Sequence, residues 1–455
     1  MGTNRFMINL ANIVFKKNLF FIFLFLIFNF SKIYAQPAQP LINLNHQVQN
    51  QIHKTTPKAS IGILIQELSP GNSIILARNS TQEFIPASNM KILTAITAMK
   101  ILGPGYQFKT TVSQDPQDLT HTLYFKFSGD PSLSSSDLLN LINNLNLTFK
   151  PLGIKNITGN IILDTSAETD SNTGSANPDY PAGIDHADLA YWFMAPAQSI
   201  ILNQNCIEIG TGKNSALMAD PNPLLTAEHV ITLGLENNHI NFSGHFINQQ
   251  TPLASTTSSH LKIIAEHDSE PLPNLINNML PLSNNLYASS LTKAIGLKAT
   301  GMGSFQSGAE SIDLFIQSFI KNFNHSSNLS SLSQNHVIKD GAGLSRDNRM
   351  TPQDFVIILQ AAYADPVLKT MLFNSLPRSG ISGSLKYRMS QKLLLGNVYA
   401  KTGSMKGIST LSGYLKSNSG KIFVFSIMVN NLSSFIIPGR DLQDKILADL
   451  AHKNN

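Results

Sequence analysis

Ser88-Asn89-Met90-Lys91, Ser283-Asn284-Asn285 and Lys401-Thr402-Gly403 stand in that order along a chain of 455 residues. A serine hydroxyl is a poor nucleophile at neutral pH and needs a base within hydrogen-bond reach. Ser88 and Lys91 are three positions apart, so on a helix they share one face, a turn apart. At a helix start, free backbone N–H groups and the dipole favour the negative charge that an attacking serine develops. Burial on an apolar helix lowers the pKa of Lys91, so a neutral amine is the predicted base. On this reading Ser283 is the predicted proton relay to a leaving amine, and Asn285 is predicted to hold Lys91 and a substrate amide. Lys401 supplies positive charge for a substrate carboxylate, and Thr402 and Ser404 add hydroxyl donors. Gly403 lets a ligand lie close against its strand. The backbone N–H groups of Ser88 and Ser404 form the predicted oxyanion hole. This is acyl transfer through a serine ester.

Each motif has a bland alternative. S-x-x-K also fits at Ser259, Ser290 and Ser318, whereas K-T-G stands only at Lys401. Ser88 and Ser283 could be helix caps, and Lys91 and Lys401 surface lysines whose stems cover apolar groups. Order and local context together carry the catalytic reading. No G-x-S-x-G elbow is present, which removes the α/β-hydrolase route to a serine enzyme. Gly210-Thr211-Gly212-Lys213-Asn214 fails the Walker spacing and reads as a turn.

These residues need elements to hold them. Pro86 introduces a helix in which Ile92, Ala95, Ile96 and Met99 recur at helical spacing, and Gly103-Pro104-Gly105 ends it. Two strands precede it, Ala59 to Leu68 and Ser73 to Asn79, joined by the turn residues Ser69-Pro70-Gly71-Asn72. Helical patterns return at Asn285 to Ile295, Ser311 to Phe323 and Asp354 to Tyr363. The chain closes as a meander, Val398 to Thr402, Thr410 to Leu415 and Ile422 to Val429, before an amphipathic helix, Asp441 to Ala451. Between Tyr106 and His267 the texture changes. Short strand-like runs (Thr122 to Phe127, Asn160 to Leu163, Ile200 to Leu202, Ile207 to Ile209, His229 to Leu233) alternate with Gly, Pro, Asn and Ser. The expected organisation is a leader at 1–35, a catalytic domain split between 36–106 and 268–455, and an inserted β-rich region at 107–267 forming one or two subdomains. The fold class is α+β.

Hydrophobic residues make up 42%, charged residues 13% and the net charge is +5. Mean hydropathy is −0.01 and the pI is about 9.0. That basic excess suits work near an anionic wall, or peripheral association with a membrane surface. It lacks the basic stripe with interleaved aromatics that nucleic acid requires. The 12 His are scattered, with no H-E-x-x-H and no Cys/His cluster, so no metal and no cofactor are expected. Arg5, Lys16 and Lys17 precede an apolar run from Leu19 to Phe28, and a small residue, Ala35, follows. That pattern predicts an exported protein cut near Ala35, the alternative being a retained signal anchor. The lone Cys206 fits an exported chain without disulfides.

With these motifs the chain resembles the class C low-molecular-mass penicillin-binding proteins, periplasmic D-alanyl-D-alanine carboxypeptidase/endopeptidases. Further stretches carry the likeness: Phe127-Ser128-Gly129-Asp130-Pro131-Ser132-Leu133, Ala195-Pro196 with Leu202-Asn203-Gln204-Asn205, Lys339-Asp340-Gly341-Ala342-Gly343-Leu344-Ser345-Arg346, and Ser382-Gly383-Ser384-Leu385. Roughly two hundred residues separate Ser88 from Ser283, as in a family with domains inserted there. The resemblance implies a penicillin-binding, β-lactamase-like transpeptidase fold. A helical cluster and a five-stranded antiparallel sheet flank the site, and the insert overhangs the cleft. It implies that Asp188 and Phe193 meet the side chain of a peptidoglycan stem peptide and that Arg346 is another substrate contact. Lys406 stands where the family commonly has Gln, and a cation there attracts carboxylates and repels ammonium groups. The implied partners are stem peptides and, as covalent inhibitors, β-lactams. The competing functions are a serine β-lactamase and a non-catalytic wall-binding relative.

Overall fold

The computed structural model describes residues 58–69, 72–166, 180–210, 215–250, 259–323, 332–433 and 435–454. The expected leader and its cleavage near Ala35 lie outside them. β1 (Ser60–Glu67) and β2 (Ile74–Arg78) form a hairpin. A 3-10 turn (Ala87–Asn89) then leads into α1 (Met90–Ile101). Next come β3 (Lys109–Gln114), β4 (Leu123–Lys126), α2 (Ser135–Phe149), β5 (Asn156–Ile157) and β6 (Ile161–Asp164). They are followed by β7 (Cys206–Ile209), β8 (Ala216–Ala219), α3 (Pro223–Asn237), β9 (Asn241–Phe242), β10 (Phe246–Gln249) and β11 (Lys262–Asp268). Five helices follow: α4 (Leu272–Leu282), α5 (Asn285–Thr300), α6 (Phe305–Phe323), α7 (Pro352–Ala364) and α8 (Pro366–Ser375). The chain ends in β12 (Val398–Met405), β13 (Ile408–Lys416), β14 (Ile422–Asn430) and α9 (Ile437–Lys453).

The first sheet has the order β12-β13-β14-β1-β2 and every pairing in it is antiparallel. This is the five-stranded antiparallel sheet that the resemblance implies. Its centre joins the two ends of the described chain, β1 running against β14 from Ser60↔Asn430 to Glu67↔Phe423. β14 is buried at every position from Phe423 to Asn430, because α7 packs on it while α9 covers β13. That explains why β14 is an unbroken apolar run rather than an alternating one. α1 is buried from Met90 to Met99 and lies in one core with side chains of α4 to α7. A helix apolar all round must be enclosed, and it is.

The second sheet has the order β10-β6-β4-β3-β11, with β4, β6 and β10 mutually parallel and β3 antiparallel to its neighbours. It carries its own core, which includes Leu138, Leu141, Ile142 and Leu145 of α2 and Ala227, Val230, Ile231 and Leu235 of α3. Two expectations fail here. His229 to Leu233, read as a strand, is the middle of α3, whose buried positions fall at helical spacing. Ile200 to Leu202 forms no strand, and Ile200 and Leu202 plug this core from a loop. The β-rich texture is therefore interrupted by two helices of 15 residues each.

Candidate active site

The nucleophile's loop is fixed from three sides before α1 begins. Phe84 and Met350 exchange backbone hydrogen bonds of 2.9 and 3.0 Å. The Ile85 N–H donates to Asn430 Oδ1 (2.8 Å), and Thr410 Oγ1 donates to the Pro86 carbonyl (2.8 Å). Ala87 is left-handed with φ +47°, a conformation that costs a non-glycine residue about 1–3 kcal/mol and persists only where its surroundings impose it. Two glycines leave the room for it. A Cβ on Gly343 (φ +79°) would collide with the Ala87 carbonyl, and one on Gly403 would lie 2.9 Å from the Pro86 oxygen and 3.1 Å from Ala87 Cβ. A Cβ at Gly403 would also meet Thr410 Oγ1, so this glycine makes room for both β13 and the loop that carries Ser88.

Lys91 has no exposed surface. Its Nζ lies 3.0 Å from Ser88 Oγ, 2.7 Å from Asn285 Oδ1 and 2.6 Å from the Ala342 carbonyl. Burial pushes its pKa down to about 7, against the opposing pull of the Asp340 carboxylate. A neutral amine keeps two N–H groups and one lone pair. Asn285 Oδ1 and the Ala342 carbonyl only accept, so they take the two hydrogens and the lone pair is left for the Ser88 hydroxyl. The two acceptors thereby aim the base.

Ala342 is a partner the sequence reading missed. Its loop is shaped by the buried Asp340, whose carboxylate accepts from the backbone N–H groups of Gly343, Leu344 (3.1 Å) and Ser345 (2.6 Å). Thr94 of α1 donates to the Gly341 carbonyl (2.8 Å). The signal was the Asp340-Gly341-Ala342-Gly343 run, which allows a close backbone approach, but no side chain in it announced a carbonyl ligand.

Ser283 lies in the turn between two helices. It caps α4 with φ +56°, and Asn284 caps α5 by accepting from the Tyr287 N–H (3.2 Å). This tight turn places Asn285 at the start of α5. Its Oδ1 faces Lys91 and its Nδ2 donates to the Phe193 carbonyl (2.8 Å). Phe193 thus belongs to the wall of the site. Its ring stacks on Tyr191 (5.4 Å between centroids) and meets Trp192 edge-on (5.9 Å). Asp188 ends a 3-10 turn just upstream, its side chain half-buried, and its carbonyl accepts from the Tyr191 N–H (3.0 Å). A second brace comes from Asn203, Gln204 and Asn205, three consecutive left-handed residues (φ 52°, 60° and 49°). Gln204 Oε1 accepts from Asn284 Nδ2 (2.7 Å).

Lys401 is fully buried on β12, and its Nζ donates to the Thr402 carbonyl (2.9 Å). Burial first, and the charge of Lys91 second, hold its pKa well below the ordinary lysine range. Thr402 Oγ1 shares a hydrogen with Ser384 Oγ (2.6 Å), which gives the Ser382–Leu385 run a place in the site. Ser404 is exposed on the same strand, and its Oγ accepts from Arg440 Nη2 (3.3 Å). Beside the β12–β13 turn a groove of about 570 Å3 is lined by Arg346, Lys406, Asp185 and Asn430 among others. Arg346 Nη2 donates to the Lys406 carbonyl (3.3 Å). The structure therefore brings Ser88 and Asn285 each into contact with Lys91, and it sets Arg346 and Lys406 together at the groove.

Known proteins share this arrangement of chain. The model of the D-Ala-D-Ala carboxypeptidase 3 (S13) family matches residues 44–221 and 210–448. The D-alanyl-D-alanine carboxypeptidase DacB of Haemophilus influenzae is 25% identical, covering 86% of this chain and 89% of its own. The D-alanyl-D-alanine carboxypeptidase of Actinomadura sp. (strain R39) is 26% identical over 86% of this chain and 81% of its own. Among solved structures, penicillin binding protein 4 (dacB) from Haemophilus influenzae has the same fold, with a TM-score of 0.76 at 22% identity over 89% of this chain and 99% of that one. The match runs through both sheets and all three motifs, and the chain belongs to the D-Ala-D-Ala carboxypeptidase 3 (S13) family, the class C low-molecular-mass penicillin-binding proteins.

Proposed function

We propose that this protein is a serine D-alanyl-D-alanine carboxypeptidase and endopeptidase that trims or cleaves peptidoglycan stem peptides through an acyl-enzyme at Ser88. Neutral Lys91 takes the Ser88 proton as Oγ attacks the carbonyl of the penultimate D-Ala. The N–H groups of Ser88 and Ser404 hold the oxyanion. The proton passes by way of Ser283 to the leaving nitrogen, the amide C–N bond breaks, and D-Ala or a cross-linking amine departs. Water then attacks the ester with Lys91 again as base, and Ser88 recovers its proton. Penicillin enters by the same first step. The observation that carries this reading is the Lys91 Nζ contact to Ser88 Oγ at 3.0 Å with two acceptor-only partners alongside.

Substrate choice rests on the groove and the insert. Asp188 attracts an ammonium group and Lys406 with Arg346 a carboxylate, so one stem side chain bearing both groups, such as meso-diaminopimelate, satisfies them together. We place the protein in the periplasm, with residues 1–35 as its leader. Mass spectrometry of the exported protein, which should begin near Gln36, tests that.

The deciding experiment is labelling by penicillin with peptide mapping. The acyl group should sit on Ser88, and Ser88→Ala should lose both labelling and D-Ala release. Acylation of Ser290 or any other serine would end the reading. A chromogenic cephalosporin separates the β-lactamase alternative: a slow stoichiometric burst supports the peptidase, and fast turnover the lactamase. Wall binding without any peptidase activity would support the non-catalytic alternative.

A further inference from the structure

Lys401, the cation of K-T-G, has no exposed surface and is spent on the Thr402 carbonyl. The groups β12 offers to a ligand are the hydroxyls of Thr402 and Ser404, two positions apart and therefore on one face. Next to them stands a different cation. Arg440, in the first turn of α9, donates from Nη2 to Ser404 Oγ at 3.3 Å. A serine hydroxyl is a weak partner for a guanidinium, which has five donors in a planar fork shaped for a carboxylate. The nearby acid does not neutralise it. Asp444 is taken by Arg388, whose Nη2 lies 2.6 Å from Asp444 Oδ1 and also reaches Gln443 Oε1 (3.0 Å) and the Arg440 carbonyl (3.3 Å). Arg388 holds the Asp444 carboxylate, with Asp441 close by, while Arg440 Nη2 is directed at Ser404 rather than at either acid.

We infer that Arg440 binds the substrate carboxylate carried by the carbon next to the leaving nitrogen, in concert with the hydroxyls of Thr402 and Ser404. This inference rests on the acyl-transfer function proposed above and moves the direct carboxylate contact from Lys401 to Arg440. Lys401 then acts from below, ordering the backbone at Thr402.

The test uses two donors with one acyl group, diacetyl-L-Lys-D-Ala-D-Ala and its D-alaninamide counterpart, whose leaving amine lacks the carboxylate. The quantity read is the ratio of kcat/KM for acid over amide. Losing a charge-assisted hydrogen bond costs about ten- to a hundredfold, so Arg440→Ala should lower this ratio about tenfold or more. Arg440→Lys keeps the charge without the fork and should fall between, which also covers a poorly folding alanine variant. An unchanged ratio in both variants, or equal losses on both donors, would overturn the assignment. Wild-type turnover of the acid donor is the separate check on the acyl-transfer reading, and its absence would overturn both.

Discussion

The Lys91 amine should be visible as a limb in the pH dependence of acylation. Moving its pKa from the ordinary 10.5 to about 7 corresponds to about 5 kcal/mol against the charged form. At pH 7 about half of the Lys91 side chains are then neutral, against about one in three thousand for an unperturbed lysine. The burial thus raises the supply of working base by about a thousandfold. Because the neutral form is the active one, acylation rises with pH through about 7 and levels above it. The second-order rate constant for a fluorescent penicillin, followed in single turnover from pH 5 to 9, should fall about tenfold per pH unit below the inflection. At pH 5 it should be about a hundredfold under the plateau. Lys91→Ala should lower the plateau by about 10²–10⁴ and erase the limb. A profile that is flat over this range, an inflection above pH 9, or a limb surviving in Lys91→Ala would refute the neutral-amine argument.

Three further outcomes follow from the geometry. Asp188→Ala should reduce kcat/KM several-fold for diaminopimelate-containing peptides, a partly exposed ion pair being worth about 1 kcal/mol, while sparing diacetyl-Lys-D-Ala-D-Ala; equal losses would make Asp188 structural. Gly343→Ala sets a Cβ against the Ala87 carbonyl in a backbone region that disfavours it, and should cost about 2 kcal/mol or more in thermal unfolding together with slower acylation. His336 Nε2 lies 2.6 Å from Asp313 Oδ1, and that bond raises the imidazole from 6.5 to about 9. Its contribution is complete below pH 6.5 and fades as pH climbs through about 9, so His336→Gln should cost about 1–2 kcal/mol at pH 6, allowing for solvent at Asp313, and little at pH 10 in denaturant unfolding.

Where local pattern and final environment agree, the fold was legible. α1, enclosed by helices, is apolar on nearly every side, and the closing meander of β12 to β14 is punctuated by its turns. α3 was misread because His229-Val230-Ile231-Thr232-Leu233 is rich in β-branched residues, and packing against α2 overrode that propensity. α2 hid behind four asparagines, although its capping box at Ser134 and Asp137 was a readable start. In the site, spacing sufficed to pair Ser88 with Lys91, since one helix sets their separation. It could not reveal the Ala342 carbonyl, the left-handed Ser283 or the brace at Gln204, because backbone groups and turns brought together across the fold leave no periodic mark. Arg440 escaped for the same reason, being just one basic residue on a helix until Ser404 is seen beside it.

The pairing of β1 with β14 sets the moment in the life of the chain at which this enzyme exists. Ser88 emerges early in synthesis, Asn285 and Ala342 far later, and the strand that completes the sheet last of all. Until the chain beyond Leu272 arrives, α1 has only early side chains such as Leu64, Phe84 and Phe108 of its core to pack with, and the helices that enclose it are still missing. Contacts so distant in sequence form slowly. The Ser88, Lys91 and Asn285 contacts can therefore assemble only after α5 and the loop carrying Ala342 have been made. The long insertion between Ser88 and Asn285 lengthens that interval while also supplying, through the Phe193 carbonyl, one of the contacts that ends it.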